Sequence, residues 1–163
     1  MNYLMLQAPD DYYGGYSWYD LEPNQLPGVM RSRKLLCDVF TQLNRMGFAR
    51  ERTFLFGFSQ GCLMTLEFGG RYPHKLAGYI GVSGYVLDPE LLVAEADPGA
   101  RSDDWLVTHG THDDVLPTAR TRKQIQFIQQ SGWKIEYHEY VKTHTIDDAL
   151  EIPMIRDWVL KRL

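Results

Sequence analysis

No apolar run in the sequence approaches the roughly 20 residues that a bilayer-spanning helix needs. The first residues also lack the basic segment and long apolar core of a signal peptide, so a cytoplasmic protein is expected. Cysteine is scarce. Cys37 and Cys62 stand at no metal-ligand spacing and read as reduced, buried thiols; whether they bridge is a matter of distance, which a sequence does not give. Positive charge is not in excess either: the formal net charge is −4, and Lys and Arg are scattered along the chain. Arg31, Arg33 and Lys34 are too few for a binding stripe and read as the wet face of a helix. Nucleic acid and acidic membranes are therefore not expected as partners. Repeats and low-complexity stretches are missing too. What is present is ordinary for a soluble globular protein: 163 residues, 44% hydrophobic and 23% charged, which fits one domain over residues 1–163.

Short apolar runs alternate with longer amphipathic ones. Residues 3–6, 53–58, 77–82, 105–109 and 134–140 read as five strands, their mostly continuous apolar character suiting a sheet covered on both faces. Helical spacing runs over 29–46, where Met30, Leu35, Val39, Leu43 and Met46 recur and Gly47 makes a stop. Further helices are read over 60–72, over 118–130, and from Pro153 to the end of the chain. The alternation implies right-handed crossovers and a mainly parallel sheet of about five strands with helices on both faces, a three-layer α/β sandwich. Two segments break the pattern. Residues 84–104 hold Pro89, Pro98 and Gly99 with several acids. Residues 10–27 carry Tyr12, Tyr13, Tyr16, Trp18 and Tyr19 among Gly, Asp and Pro, and so many rings in one long loop read as the wall of a substrate pocket.

Chemistry concentrates at Gly57-Phe58-Ser59-Gln60-Gly61, set between the second strand and the second helix. A Gly-x-Ser-x-Gly sequence in that context makes a sharp turn that lifts the serine hydroxyl clear of the backbone, above a helix N-terminus that favours a developing oxyanion. A serine in such a place can also do no more than cap the helix. What argues for chemistry is the supply, in order along the chain, of an acid and a base. His109-Gly110-Thr111-His112-Asp113-Asp114 follows the fourth strand, and His144 follows the fifth. All three candidates leave the carboxyl ends of parallel strands, where open α/β sheets bind ligands. Asp113 and Asp114 are both available as the acid. His138 falls inside a strand and reads as a packing residue, and Ser83 as a turn former. His109, His112, Asp113 and His144 match no helical zinc spacing, so no metal is expected.

Taken together, these motifs and the Ala8-Pro9 turn followed by Gly15-Tyr16-Ser17-Trp18-Tyr19-Asp20 resemble the carboxylesterase/phospholipase family that includes the acyl-protein thioesterases. The resemblance extends over almost the whole chain. It implies an α/β-hydrolase fold and a serine hydrolase that cleaves small-molecule carboxylic esters or thioesters through an acyl-enzyme on Ser59, without a cofactor. His144 would be the base, Asp113 its partner and the Gln60 amide an oxyanion donor. The family's acid motif, His-Gly-x-x-Asp-x-x-Val-Pro, singles out Asp113 over Asp114.

One departure stands out. Family members usually begin with further strands and a His-Gly loop that donates a second oxyanion N–H, and this sequence starts after that point. An alternative function follows, a weakly active or non-catalytic hydrolase-like module that binds small molecules. Geometry is affected as well, since the absent strand would lie between residues 3–7 and the nucleophile strand. Residues 3–7 are therefore expected either to pair directly with 53–58 or to leave a gap filled by a second subunit, as a homodimer.

Overall fold

The computed structural model describes residues 2–163. The first regular structure is a small antiparallel ribbon, β1 (Asp10–Tyr12) with β2 (Gly15–Ser17). Its turn puts Tyr13 at φ 44° and Gly14 at φ 81°. α1 (Gln25–Arg45) follows, four residues earlier in its start than periodicity implies because Gln25, Leu26 and Pro27 already belong to its first turn. It stops where Gly47 takes a left-handed φ of 91°. Then come β3 (Phe54–Phe58), α2 (Gln60–Gly69), β4 (Gly78–Val82), α3 (Pro89–Glu95), β5 (Trp105–Gly110), α4 (Thr118–Gln130), β6 (Ile135–Tyr140) and α5 (Glu151–Leu160).

Two helices differ from expectation for local reasons. α2 ends at Gly69 rather than near Tyr72, and there the backbone presses against the Tyr79 and Trp105 rings, 2.5 and 2.7 Å from where a Cβ would stand. α3 lies inside the segment read as a loop. Its start has a recognisable cause: the Asp88 side chain accepts the Leu91 N–H at 2.9 Å, and Pro89 supplies the first turn.

The main sheet has four parallel strands in the order β3–β4–β5–β6, one fewer than expected. The expected first strand does not form. Residues 3–6 have no regular structure, with Tyr3, Leu4 and Met5 exposed by 84%, 60% and 93%. A strand is held by a neighbour's backbone and by a face to bury, and residues 3–6 reach neither. Direct pairing with 53–58 is thus overturned: β3 pairs with β4, register Phe54 with Gly78, and its other edge is open among the described residues.

Alternation along each strand sorts the core into two layers. Leu55, Tyr79, Trp105, Val107, Ile135 and Tyr137 face α1, α2, α3 and α4. Phe54, Phe58, Ile80, Val82 and Leu106 face α5, through Ile155, Trp158 and Val159. On that second face α5 works largely through one ring. Trp158 is 4% exposed, lies edge-on to Phe54 and sits where a Cβ on Gly78 would meet it at 2.5 Å. Its indole N–H donates to Glu136 at 2.9 Å, and the Arg162 guanidinium stacks 3.7 Å over it. Trp158→Ala should cost about 3–5 kcal/mol, a drop in Tm on the order of 10 °C in a thermal melt followed by circular dichroism. A change under about 1 kcal/mol, within the range of ordinary surface substitutions, would show that α5 does not secure this face.

Candidate active site

The carboxyl end of β3 leads straight into the N-terminus of α2, and Ser59 occupies the junction with φ 54° and ψ −113°. A non-glycine residue at positive φ is strained, and its neighbours must hold it. They do so through backbone: the Ser59 N–H donates to Val82 O at 2.9 Å, and Ser59 O accepts from Cys62 N–H at 3.0 Å. Gly57 permits the turn, since a Cβ there would fall 2.0 Å from the Gly61 carbonyl oxygen. Gly61 itself has open space at its own Cβ position, so the two glycines are not equivalent.

The three side chains expected to act together are in contact. Ser59 Oγ lies 2.9 Å from His144 Nε2, and His144 Nδ1 lies 2.8 Å from Asp113 Oδ2. A carboxylate can only accept, so Nδ1 carries the proton and Nε2 is free to accept from the serine hydroxyl. The other carboxylate oxygen of Asp113 accepts the N–H groups of Val115 and Leu116 at 3.0 and 2.8 Å. Burial pushes the Asp113 carboxyl up, but the His144 hydrogen bond, the Leu116 and Val115 amides and the imidazole outweigh it and hold the group below its ordinary value. Asp114 is exposed and takes no part.

Beneath this pair, His109 is fully buried. Its Nε2 donates to Leu116 O at 2.9 Å and stands 3.4 Å from Asp113 Oδ2, so it braces the acid loop from inside. His112 and His138 are exposed, so His138 is a surface residue of β6 and not the packing residue expected. Ser83, buried with φ 50°, shapes the turn after β4. Cys62 is buried behind the elbow, where burial pushes its thiol up to about 12, and neither it nor half-buried Cys37 is bridged. No group of three His, Cys, Asp or Glu side chains suited to a metal occurs among the described residues.

The five rings of the aromatic segment are dispersed. Tyr19 is 2% exposed and belongs to the core, which corrects its reading as a pocket wall. Tyr12, Tyr13 and Tyr16 sit on the β1–β2 ribbon around a shallow cavity of about 360 Å³ bounded by residues 11–16 alone. Trp18 is partly buried with its ring packed against the main core, and it is its backbone that reaches the elbow. The Trp18 backbone N–H donates to Gln60 Oε1 at 3.0 Å, while Gln60 Nε2 donates to Ser17 Oγ at 3.0 Å and Tyr19 O at 3.3 Å. Gln60 thus holds this loop through its side chain, a role sequence reasoning missed because a motif position says nothing of what its side chain grips. The ring of Phe58, centred 5.0 Å from the His144 ring, was likewise missed. Its place beside the serine in the pentapeptide was the available signal.

The depressed Asp113 carboxyl sets a sign for acid stability. A group lowered on folding stabilises the protein above the ordinary carboxylate value, about 4, and that contribution is lost as pH falls through the folded value. Melting temperatures from pH 7 downward should therefore fall below about pH 4, and less steeply in Asp113→Asn. Equal slopes in both proteins would remove Asp113 from the acid transition.

A family model described as phospholipase/carboxylesterase matches residues 3–157. An acyl-protein thioesterase 1 from Schizosaccharomyces pombe is 27% identical over 117 residues, covering 72% of this chain and 52% of that protein. One from Eremothecium gossypii is 32% identical over 124 residues, covering 72% of this chain and 50% of that protein. The chain thus spans about half the length of these curated relatives. The crystal structure of Arabidopsis thaliana SOBER1 superposes with a TM-score of 0.84 at 25% identity, covering 91% of this chain and 74% of that one. No helix among the described residues is long and apolar enough to cross a membrane.

Proposed function

The chain belongs to the phospholipase/carboxylesterase family, and from that premise we propose that it hydrolyses carboxylic esters or thioesters through an acyl-enzyme on Ser59. The observation that carries the reading is the unbroken line of hydrogen bonds from Ser59 Oγ through His144 to Asp113. His144 Nε2 takes the serine proton as Oγ attacks the acyl carbon. Asp113 holds the imidazole in the required tautomer and stabilises the imidazolium. The C–O or C–S bond then breaks, and His144 returns the proton to the leaving alkoxide or thiolate. Water, deprotonated by His144, attacks the acyl-enzyme and frees the acid and Ser59. The Gln60 N–H, in the first turn of α2 where no preceding carbonyl claims it, is the oxyanion donor.

The substrate is a small neutral ester with an apolar part, and Trp18, partly exposed and tied by its backbone amide to Gln60 beside Ser59, is the ring assigned to meet it. A cytoplasmic location belongs to the same reading, supported by the two unbridged thiols.

A second reading has its own support. The Trp18 N–H, which could have stood in as a second oxyanion donor, is taken by Gln60 Oε1. With one donor, turnover falls on the order of 100- to 1000-fold, and the chain becomes a weak hydrolase or a binding module. A fluorophosphonate probe separates the two: mass analysis should find a covalent adduct on Ser59, whereas folded but unlabelled protein favours the binding module.

Kinetics test the roles. Ester turnover in Ser59→Ala, His144→Ala and Asp113→Asn should each fall by several orders of magnitude, and double variants should lose little more. Wild-type rates in Ser59→Ala would end this mechanism. Trp18→Ala should lower kcat/KM for apolar esters roughly tenfold, about the value of one well-buried apolar contact, and leave that for small polar esters nearly unchanged.

A further inference from the structure

Lys142 and Glu151 form a buried ion pair at 6% and 0% exposure, beside the loop that carries His144. Lys142 Nζ donates to both Glu151 carboxylate oxygens at 2.7 Å and to the Thr145 carbonyl at 2.8 Å. Glu151 Oε2 also accepts the Asp147 N–H at 2.9 Å. Resting on the reading of Ser59, His144 and Asp113 as a hydrolytic site, we propose that this pair is a positioning device, fixing the reach of the loop so that His144 stands at Ser59.

The first argument is where the bonds fall. Lys142 precedes His144 by two residues and Thr145 follows it by one, so a single ammonium ties together the chain on both sides of the histidine. Glu151, the first residue of α5, anchors that tie to a helix fastened to the sheet by Ile155 and Trp158. The loop has no β-ladder of its own beyond Tyr140. Its other supports are backbone bonds, Lys142 N–H to Tyr140 O at 2.9 Å, His112 N–H to Lys142 O at 3.1 Å and Thr145 N–H to Thr143 O at 2.9 Å, and the packing of Ile146 against the core under α5.

The second argument is energetic. Burying two charges costs about as much as their attraction returns, so a well-packed apolar pair commonly serves stability as well or better. Stability alone therefore gives little reason for this pair. Its distinctive property is directional: all four hydrogen bonds end within Lys142, Thr145, Asp147 and Glu151, the segment that sets the imidazole's place. A reacting group displaced by about 1 Å loses on the order of 100-fold in rate.

The test separates stability from position. Lys142→Met/Glu151→Leu removes both charges and fills the space; with Thr145 O and Asp147 N–H losing these partners, Tm should fall by several degrees while the protein stays folded. Its kcat for a small ester should fall about 10- to 100-fold, with KM within about twofold because ground-state binding is untouched. In a crystal structure of the double variant, His144 Nε2 should leave hydrogen-bond distance of Ser59 Oγ. That arm reads position directly and decides the matter even if the wild-type chain turns over no ester. A double variant with His144 in place and a wild-type kcat overturns the proposal. Should it fail to fold, Glu151→Gln keeps the shape while leaving the ammonium without its counter-charge. Folded Glu151→Gln protein should show the same displacement and lowered kcat, and an undisturbed His144 there also overturns the proposal.

Discussion

Ser59 follows β3 and His144 follows β6, with two strands lying between, so three inter-strand spacings, about 14 Å, separate the strand ends that must supply touching side chains. Only four residues lead from Tyr140 to His144, a reach of about 13 Å when extended. The chain is not even extended there, since Lys142 N–H donates to Tyr140 O and Thr145 N–H to Thr143 O, both at 2.9 Å, so the side chains of Ser59 and His144 close the rest of the distance, and much of the site's architecture answers to that crossing. It passes over the end of β5 at Gly110, where a Cβ would fall 2.4 and 2.6 Å from the Lys142 and Thr143 carbonyl oxygens. Asp113, leaving β5 midway, meets the imidazole from below, and Phe58 meets it from the far side.

The glycines of the site divide along the same line. Gly110 makes room for a passing loop, Gly57 for the sharp turn under Ser59, and Gly84 for Cys62, whose Sγ a Cβ would approach to 2.6 Å. Each marks a place where one backbone element runs against another. Strain at Ser59 is held by the β4 backbone and by the start of α2, both rigid. His144 is different, for it hangs on a loop held in good part by side chains.

Much of this was legible in the sequence because it depended on order and period. Four strands and four of the five helices followed from apolar spacing; the contact of Ser59 and His144 with an acid after the fourth strand agrees with chain order, while Asp113 over Asp114 came from the family motif. Other features depended on what lies alongside. Residues 3–6 have the composition of a strand but no neighbour, and composition cannot show that. The five rings looked alike as letters, yet Tyr19 packs in the core, Trp18 lies against it with its backbone tied to Gln60, and the other three ride on a ribbon. Nothing in the sequence singles out Lys142 or Glu151, and only the fold brings them together as a buried ion pair. α3 could have been read from Asp88-Pro89, a cap and first-turn pair obscured by its short length.

The edge of β3 that is open among the described residues bears on how this part of the molecule moves. Along an edge strand every second amide points away from the sheet, without a partner to slow its exchange with solvent. Opening of β3 is therefore easier than opening of β4 or β5, which are bonded on both sides. Ser59 thus follows an edge strand while Asp113 follows an interior one, and backbone opening is easier on the serine side. In hydrogen–deuterium exchange, the backbone below Ser59 would fill with deuterium before the backbone below Asp113, a gradient running across the sheet from the serine inward.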